Sequence, residues 1–449
     1  MIYLNNIKNL IKNHKKTIAI YGLGNVGGAI AACWLKTGAK VIGVDISKKL
    51  LLDIKAGNSH SKEPFVSSIF SKALKEKNLI LTDNGILASK NSDIKIIVVP
   101  VGLKKYKSDL KYVISATQTI AKGLKKGDVV LLSPSVPPGT TEKIVLPILE
   151  KESKLKGERD FFLIYNPERI FEGRAIQDIE ENYPAIVAGL GKKSLEFGNK
   201  FLKIISKKGV LLMPNLATAE AEKLFEGVFR DVNIALSNQL ADYCEKIGIN
   251  FWEARKAANS QPFCHLHYPG TGVGGLCIPV YPRIVIESAK NIGQSMKILE
   301  FSRTINDEMP KKCVNESVKL LKTNKKTPKN KKIAVLGLGF RGEVTDKRLS
   351  PTYSVVDEFL KLGCQVTVHD PYILEDNELP ENVLLSKDMS LVIKNADLIF
   401  VSTDHKKYSK LSKTSFKNTK KPLLIYDGRN ILQNNLFDKV NLLSIGNYT

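Results

Sequence analysis

Long hydrophobic runs are missing from this sequence of 449 residues. No segment approaches the roughly 18–20 apolar residues that a membrane-spanning helix requires. Residues 1–16 are interrupted by asparagine and lysine, so they lack the apolar core of a secretory signal peptide. The hydrophobic content of 43% still allows large buried cores. The sequence therefore predicts a soluble, cytoplasmic protein without a membrane partner, and its length predicts roughly two to four domains.

Cysteine is scarce and is never arranged as a Cys-x-x-Cys pair. The six cysteines are scattered along the chain, which argues against a disulfide framework and favours reduced thiols, one of them a candidate nucleophile. The segment CHLH, residues 264–267, groups metal-binding residue types, but no second cluster accompanies it. Metal binding is therefore only a weak alternative, and no metal is predicted.

Clusters of arginine and aromatic residues, which form nucleic-acid platforms, are also missing. The formal net charge is nevertheless +23, from 68 lysines and arginines against 45 acidic residues, and the excess is nearly all lysine. Such a charge can attract nucleic acids, membranes or phosphorylated metabolites. Because the lysines are spread over predicted surfaces, we interpret the charge as a general lysine bias and predict no nucleic-acid partner.

A glycine motif near the N-terminus has the context of a dinucleotide site. A β-branched strand leads into Gly22-x-Gly24-x-x-Gly27, an apolar helix pattern follows, and a second strand ends at Asp45. In such a motif the first glycine allows a tight turn and the second lets the backbone approach the pyrophosphate. The third allows close helix–strand packing, and the acid accepts hydrogen bonds from ribose. Asp45 favours NAD over NADP, because a carboxylate repels a 2′-phosphate.

The motif returns near the C-terminus in altered form. A strand again enters Gly337-x-Gly339-x-x-Gly342, and a later strand ends at Asp370. Here the segment EVTDKRLSP separates the glycines from the next helix, which is expected to begin near Pro351. This insertion breaks the glycine-to-helix geometry of a pyrophosphate site, so the second copy is predicted to bind a different ligand. Arg341 and Arg348 suit phosphate or uracil contacts, although ordinary surface arginine is the alternative interpretation.

Two further segments define the domain organisation. Residues 217–247 contain no proline and carry apolar residues at helical spacing, which predicts a long helix whose apolar stripe is core or dimer interface. The polar segment KTNKKTPKNKK, residues 322–332, is predicted to link two domains.

Several blocks of the sequence, in this order, closely resemble the UDP-glucose/GDP-mannose dehydrogenase family. The resemblance covers nearly the whole chain and includes YGLGNVGGAIA, SPSVPPGTTEKIVLP, NPERIFEGRAI, AEAEKLFEGVFRDVNIALSNQLADYCEKIGIN, PGTGVGGLCIP, RTINDEMP, GFRGEVTDKRLSP, STDHKKY and YDGRNIL. It implies an α/β fold with two Rossmann-like, doubly wound parallel-sheet domains joined by a central helical dimerisation domain. The predicted boundaries are 1–212 for the NAD domain, 213–321 for the central domain, 322–332 for the linker and 333–449 for the UDP-binding domain.

The resemblance also implies an activity. Family members oxidise the C6 alcohol of a nucleotide sugar to a carboxylate with two molecules of NAD. The branch that this chain resembles most acts on UDP-N-acetylhexosamines such as UDP-N-acetylmannosamine, whose acidic products enter polysaccharide synthesis. A thiolate can trap the aldehyde intermediate as a thiohemiacetal, which is oxidised to a thioester and released by water. A homodimer or a dimer-based oligomer is implied as well.

Site residues are carried over position by position. Cys277, at the end of a glycine-rich loop, matches the nucleophile, Lys223 the lysine that stabilises oxyanion charge, Glu168 a glutamate implicated in thioester hydrolysis, and Ser135 a residue that positions a water. The cofactor-binding residues are Gly22, Gly24, Asn25, Val26, Gly27, Asp45 and Pro100. The substrate-binding residues are Glu172, Arg230, Asn233, His267, Gly270, Gly274, Arg341 and Arg348.

Four positions depart from the family pattern. Tyr281 replaces an aspartate four residues after the cysteine, and Gly227 replaces an asparagine one helical turn after the lysine. Leu276 and Phe263 replace a histidine and an arginine. The loss of one oxyanion donor can lower a rate by about 10²–10³, and tyrosine is a poor substitute for an anionic partner of Lys223.

Two hypotheses therefore stand. The first is an active NAD-dependent UDP-sugar 6-dehydrogenase, which explains the retained Cys277, Lys223 and Glu168. The second is a catalytically impaired family member that binds NAD and a nucleotide sugar in a regulatory or assembly role, which explains the substitutions near the chemistry.

Overall fold

The computed structural model describes residues 6–58, 63–104, 107–432 and 441–447. The chain divides into two compact units, Met1–Glu226 and Gly227–Thr449. Among the described residues, none of the helices combines the length and the apolar character that crossing a membrane would need.

The first unit is built on an eight-stranded sheet with helices on both faces. The strands of this unit are β1 (Thr17–Tyr21), β2 (Lys40–Val44), β3 (Leu79–Thr82), β4 (Ile94–Ile97), β5 (Gly102–Lys104), β6 (Lys107–Asp109), β7 (Val129–Leu132), β8 (Phe162–Tyr165), β9 (Ala185–Gly189) and β10 (Val210–Leu212). Eight of them form the sheet, and β5 and β6 form a separate antiparallel pair. The sheet order is β10-β9-β8-β7-β4-β1-β2-β3. Neighbouring strands are parallel except for β8 and β9, so β9 and β10 run opposite to the other six.

The helices of this unit cover both faces of the sheet. They are α1 (Ile7–Lys12), α2 (Asn25–Lys36), α3 (Lys48–Lys55), α4 (Val66–Lys75), α5 (Gly85–Lys90), α6 (Lys111–Ala121), α7 (Leu146–Ser153), α8 (Ala175–Gln177), α9 (Lys192–Leu202) and the start of α10 (Leu216–Ile247). π-Helical turns, Thr141–Val145 and Asp178–Asn182, adjoin α7 and α8. Every residue of the central strands β4 and β7 is buried, as expected for parallel strands packed on both faces. The predicted doubly wound α/β architecture is confirmed.

The second unit contains a six-stranded, wholly parallel sheet. Its strands are β11 (Lys332–Leu336), β12 (Gln365–His369), β13 (Leu384–Ser386), β14 (Leu398–Val401), β15 (Ile425–Asp427) and β16 (Leu442–Ser444), in the order β13-β12-β11-β14-β15-β16. The remaining helices are α11 (Phe251–Ala258), α12 (Tyr281–Lys290), α13 (Lys297–Thr323), α14 (Pro351–Lys361) and α15 (Met389–Ile393), with short 3₁₀ turns at Tyr408–Lys410 and Lys413–Phe416.

Three local predictions can be compared with these bounds. The long helix expected over residues 217–247 is α10, Leu216–Ile247. Residues 343–350 separate Gly342 from α14, which begins at Pro351 as predicted. α13 continues to Thr323 and β11 begins at Lys332, so the non-helical connection is slightly shorter than the predicted linker. The division into three functional domains stays a prediction.

A buried polar network joins α10 to α13. Arg303 donates through Nη1 to Asp231 Oδ1 at 2.5 Å, and Asn306 Nδ2 donates to the carbonyl oxygen of Asp231 at 2.9 Å. Asn238 Nδ2 donates to Asn306 Oδ1 at 3.0 Å, while Asn238 Oδ1 accepts the Gly270 N–H at 2.9 Å. All of these side chains are buried. The network therefore holds the start of the glycine-rich segment onto the helical layer.

The charge balance of this network is testable by mutation. Asp231→Ala removes the buried anion of Arg303 and leaves its guanidinium with only the more exposed Asp307, so we expect the free energy of unfolding to fall by about 3–5 kcal/mol. Urea denaturation followed by circular dichroism measures this loss. Glu358→Ala, which removes an exposed ion pair with Lys361 on α14, is the matched control and should cost under about 1 kcal/mol. Equal effects of the two variants would contradict the assigned role.

Candidate active site

The first glycine motif lies at the carboxyl end of β1, where the sheet order changes direction between β2 and β4. Gly22 has φ +98°, a conformation that side chains other than glycine rarely adopt. A Cβ atom on Gly27 would overlap the carbonyl oxygen of Gly22, whereas a Cβ on Gly24 would meet no described atom within 4 Å. The second glycine thus borders open space at the N-terminus of α2, where Asn25 and Val26 form the first helical residues.

Asp45 completes the cradle at the end of β2. Its Oδ2 accepts the Leu23 N–H at 2.8 Å, and its Oδ1 accepts the Ser47 N–H at 2.9 Å. A carboxylate offers about four acceptor sites, so this half-buried group retains capacity for ribose hydroxyls. Pro100, which follows β4 at the same sheet edge, is exposed. The residues present fit a dinucleotide with an unphosphorylated ribose.

The NPER segment after β8 brings Glu172 to this cradle. Asn25 Nδ2 donates to Glu172 Oε1 at 3.3 Å, so a predicted cofactor residue and a predicted substrate residue are neighbours. The turn that carries Glu172 is held by buried Glu63, which accepts the N–H groups of Gly173 at 2.6 Å and Ala175 at 2.8 Å. Sequence reasoning missed Glu63, because it belongs to no recognisable motif.

Glu168 and Lys223 interact electrostatically within the first unit. Burial raises the pKa of Glu168 to about 7, while the positive charges of Lys223 and Arg169 oppose this increase. Lys223 is buried, and its Nζ donates to Glu226 Oε2 at 3.1 Å. Arg169 lies 3.5 Å from the other oxygen of Glu226. A carboxyl group that titrates near neutrality beside a lysine is suited to general base catalysis.

Glu220, one turn before Lys223 on α10, fixes the loop that contains Ser135. Its Oε1 accepts the Thr141 N–H at 2.8 Å and the Thr141 hydroxyl at 2.5 Å, and its Oε2 accepts the Gly139 N–H at 2.5 Å. The carboxylate thus caps the N-terminus of the turn that follows Ser135, where negative charge is stabilising. Sequence reasoning also missed Glu220, although its position three residues before Lys223 places both on neighbouring parts of one helix face.

In the second unit, Cys277 ends a segment that packs tightly against protein. The Gly275 N–H donates to the carbonyl oxygen of Arg348 at 2.9 Å. A Cβ on Gly274 would lie 2.6 Å from Phe340 Cβ, and one on Gly270 would lie 2.6 Å from Arg429 Nη1. At these positions the absence of a side chain lets neighbouring protein atoms approach the backbone closely. The substrate-binding roles of Gly270 and Gly274 stay predictions.

Of the six cysteines, Cys277 is exposed, Cys264 is half-buried and the other four are buried. The Cys277 carbonyl accepts the N–H groups of Val280 at 3.2 Å and Tyr281 at 2.9 Å, so its turn leads directly into α12. Tyr281 is buried, and its ring occupies the volume that a side chain on Gly227 would need.

Hydrogen bonds from α10 hold the CHLH segment. Asn233 Nδ2 donates to the His265 carbonyl at 2.7 Å, and Asn233 Oδ1 accepts the His267 N–H at 2.8 Å. Burial, together with the charge of exposed Arg230, lowers the pKa of His267 to about 4, so the ring is neutral near pH 7. Within the described ranges, no group of three His, Cys, Asp or Glu side chains could hold a metal ion.

The second glycine motif differs from the first in the state of its acid. Asp370 is fully buried, and its Oδ2 accepts the N–H groups of Leu338 at 2.8 Å and Gly339 at 3.1 Å. Its Oδ1 accepts two more N–H groups, from Tyr372 and Ile373. This acid cannot receive a ribose, which supports the prediction of a different ligand. Arg348 pairs with Asp346 at 2.5–2.8 Å, and the Arg341 guanidinium lies 6.0 Å from the Phe340 ring centre.

Comparison with known proteins places the chain in a family. Models of the UDP-glucose/GDP-mannose dehydrogenase family match as the NAD binding domain over residues 16–205, the central domain over 217–308 and the UDP binding domain over 334–434. A UDP-N-acetyl-D-mannosamine dehydrogenase of Methanococcus vannielii is 34% identical over 439 residues, covering 95% of this chain and 96% of the relative.

Solved structures agree with this assignment. The UDP-D-ManNAc dehydrogenase of Pyrococcus horikoshii superimposes with a TM-score of 0.88 at 31% identity, covering 96% of this chain and 99% of that chain. An NDP-N-acetyl-D-galactosaminuronic acid dehydrogenase of Methanosarcina mazei gives 0.83 at 29% identity, covering 99% and 98%. The open glycine cradle and Asp45 agree with the cofactor of this group. The chain belongs to the UDP-glucose/GDP-mannose dehydrogenase family, and its cofactor is NAD.

Proposed function

We propose that the protein oxidises the C6 alcohol of a UDP-N-acetylhexosamine, with UDP-N-acetylmannosamine as the first candidate, to the corresponding uronate. The observation that carries this proposal is the single exposed thiol, Cys277, in a chain whose other unit holds an NAD cradle. The names of the relatives support the sugar, since those from Methanococcus vannielii and Pyrococcus horikoshii are mannosamine dehydrogenases. The galactosaminuronic acid enzyme makes an N-acetylgalactosamine sugar the second candidate.

The residues divide the reaction among them. NAD, which Gly22, Gly24 and Asp45 would hold, would supply the hydride acceptor for each of the two oxidations at C6. Between the two oxidations, the Cys277 thiolate adds to the aldehyde carbon and forms a thiohemiacetal; loss of the second hydride then converts it to a thioester. Water attacks the thioester, the C–S bond breaks, and the carboxylate leaves while the thiol is restored. The overall reaction consumes one water and two NAD and releases two NADH and three protons.

Residues of the first unit stabilise the developing charge and accept the proton. Lys223 supplies a positive charge for the oxyanions, which is the type of interaction that commonly contributes most to catalysis. Glu168, with its pKa raised to about 7 by burial, takes the proton of the hydrolytic water. Ser135 orients that water. Glu172, Arg230, Asn233 and His267 act on the sugar side, and Arg341 and Arg348 on the UDP side.

A second candidate is a catalytically impaired member that binds NAD and a nucleotide sugar. The observation that favours it is the ring of Tyr281, which lies buried against Gly227 where the family pattern has an aspartate and an asparagine. The active enzyme is favoured instead by the exposed Cys277, the buried Lys223 and a Glu168 whose pKa is raised to about 7.

The assembly we propose is a homodimer through α10. Five of its apolar side chains are exposed, with exposed fractions of 45–59%, and they recur after four, seven, seven and four residues: Phe225, Phe229, Leu236, Tyr243 and Ile247. This spacing places them along one face of the helix. A second copy of the same helix would bury such a stripe without requiring a different partner.

The decisive activity test is NADH formation at 340 nm with UDP-N-acetylmannosamine and a panel of UDP-hexoses and UDP-N-acetylhexosamines. We expect two NADH per sugar. Cys277→Ala should lower the rate by on the order of 10³ or more, because no thiohemiacetal can form. Cys264→Ala removes the half-buried thiol and should leave the rate unchanged. No NADH from folded protein that binds NAD would instead support the impaired member.

The pH dependence of turnover tests Glu168. With its pKa raised to about 7, the basic form increases as the pH rises through neutrality, so kcat should be about tenfold lower at about pH 6 than at its plateau. Glu168→Gln should remove this acidic limb and lower the plateau. Glu222 is a matched control, because burial and Glu226 raise its pKa to about 7 as well. Loss of the limb in Glu222→Gln, with the limb intact in Glu168→Gln, would refute the assignment.

Light scattering tests the dimer. Phe229→Glu puts a charge within the exposed stripe, so the measured mass should fall from that of two chains to that of one. Leu52→Glu, at an exposed apolar position on α3, should leave the mass unchanged. A one-chain mass for the unmodified protein at micromolar concentration would contradict the proposal.

A further inference from the structure

Gly227 is a glycine in the interior of a 32-residue helix, α10. Glycine is disfavoured there relative to alanine, so the position needs a reason. A Cβ atom at residue 227 would overlap Cδ2 of Tyr281 and would lie only 3.1 Å from its Cβ and Cγ. The obstacle is the ring and its attachment point, which cannot swing away as the end of a long, flexible side chain could. The ring of Tyr281 therefore fills the space that a side chain at residue 227 would occupy.

The same tyrosine is linked to the Cys277 turn through the backbone. Its N–H donates to the Cys277 carbonyl at 2.9 Å, and it is the first residue of α12. The residue is only 7% exposed, so the ring is anchored in the protein. A shift of the ring therefore has to move the start of α12 and, with it, the turn that carries the thiol.

The preceding part of the loop is held independently. The Gly270 N–H is bound by Asn238, and the Gly275 N–H by the carbonyl of Arg348. Between Gly275 and α12, the exposed cysteine depends on the tyrosine that closes its turn. The ring against Gly227 is thus the anchor on the C-terminal side of the thiol.

We propose that Gly227 and Tyr281 form a positioning pair, in which the ring of Tyr281, admitted because residue 227 has no side chain, sets the location of the Cys277 thiol. The inference rests on the proposed function in that Cys277 is the nucleophile. Tyr281 acts through the turn and not on the reacting atoms. Gly227 and Tyr281 therefore pack as one unit, and neither residue can be changed alone without moving the thiol.

The test compares Gly227→Ala, Tyr281→Phe, Tyr281→Ala and the double variant Gly227→Ala/Tyr281→Ala, all in the full chain with NAD. The first readout is the rate at which iodoacetamide alkylates Cys277, measured by mass spectrometry with Cys264 as internal reference. The second is kcat and KM for UDP-N-acetylmannosamine. Neither readout follows from a general loss of stability, since only folded protein is analysed and Cys264 reports any overall loosening.

Gly227→Ala is expected to change the Cys277 alkylation rate at least threefold and to lower kcat at least tenfold, with the Cys264 rate unchanged. Tyr281→Phe should keep both within twofold, because the ring remains. The double variant should be more active than Gly227→Ala alone, because the new methyl group enters the space that the ring has left. If Gly227→Ala does not fold, a folded double variant supports the same packing.

Three results would overturn the proposal. One is a Gly227→Ala protein with both values within twofold of the unmodified chain. The second is Tyr281→Phe as impaired as Tyr281→Ala, which would assign the effect to the hydroxyl group. The third is a double variant no better than Gly227→Ala alone. Failure of the proposed function is recognised separately: absence of NADH from the unmodified chain leaves the alkylation results to decide the packing.

Discussion

A Cβ atom on Gly27 would overlap the carbonyl oxygen of Gly22, and one on Gly227 would overlap the ring of Tyr281. The loops that carry the predicted chemistry depend on such close contacts, because each loop approaches neighbouring protein atoms more closely than a side chain would allow. In the first unit the result is a helix N-terminus that faces open space at Gly24. In the second it is a cysteine turn pressed against neighbouring loops, with the thiol left exposed.

Buried carboxylates serve as the complementary device, because they bind the backbone N–H groups that tight loops leave without partners. Glu63 holds the turn after Glu172, Glu220 holds the turn after Ser135, and Asp370 holds the second glycine loop. Glu168 is different: burial raises its pKa to about 7 against the opposing positive charges of Lys223 and Arg169. A similar residue type thus acts either as a structural anion or as a candidate base, according to the donors around it.

The comparison of Asp45 with Asp370 illustrates how one sequence pattern can serve two ligands. Both acids end the second strand of a Rossmann-like motif, and both bind the N–H of a residue in the glycine loop. Asp45 is half-buried and accepts two N–H groups, whereas Asp370 is fully buried and accepts four. The insertion before Pro351 in the second copy signalled this divergence in advance, because it displaces the helix from the glycines.

Local patterns in the sequence were sufficient for the long α10 helix and for the strand–glycine–helix order of the first motif, because each depends on residues close together in the chain. The fold of two α/β sheets followed from the resemblance to the family. The pattern did not predict the reversed strands β9 and β10, since strand direction is set by packing at the sheet edge. The sequence also showed Gly227 and Tyr281 only as two separate departures from the family pattern. Tertiary structure brings them together. The two residues are 54 positions apart in the chain, and the sequence alone does not show that the ring of Tyr281 packs at Gly227. The sequence by itself determined the chemistry available; the fold decided which side chains support it, since close packing is a property of atoms distant in the chain.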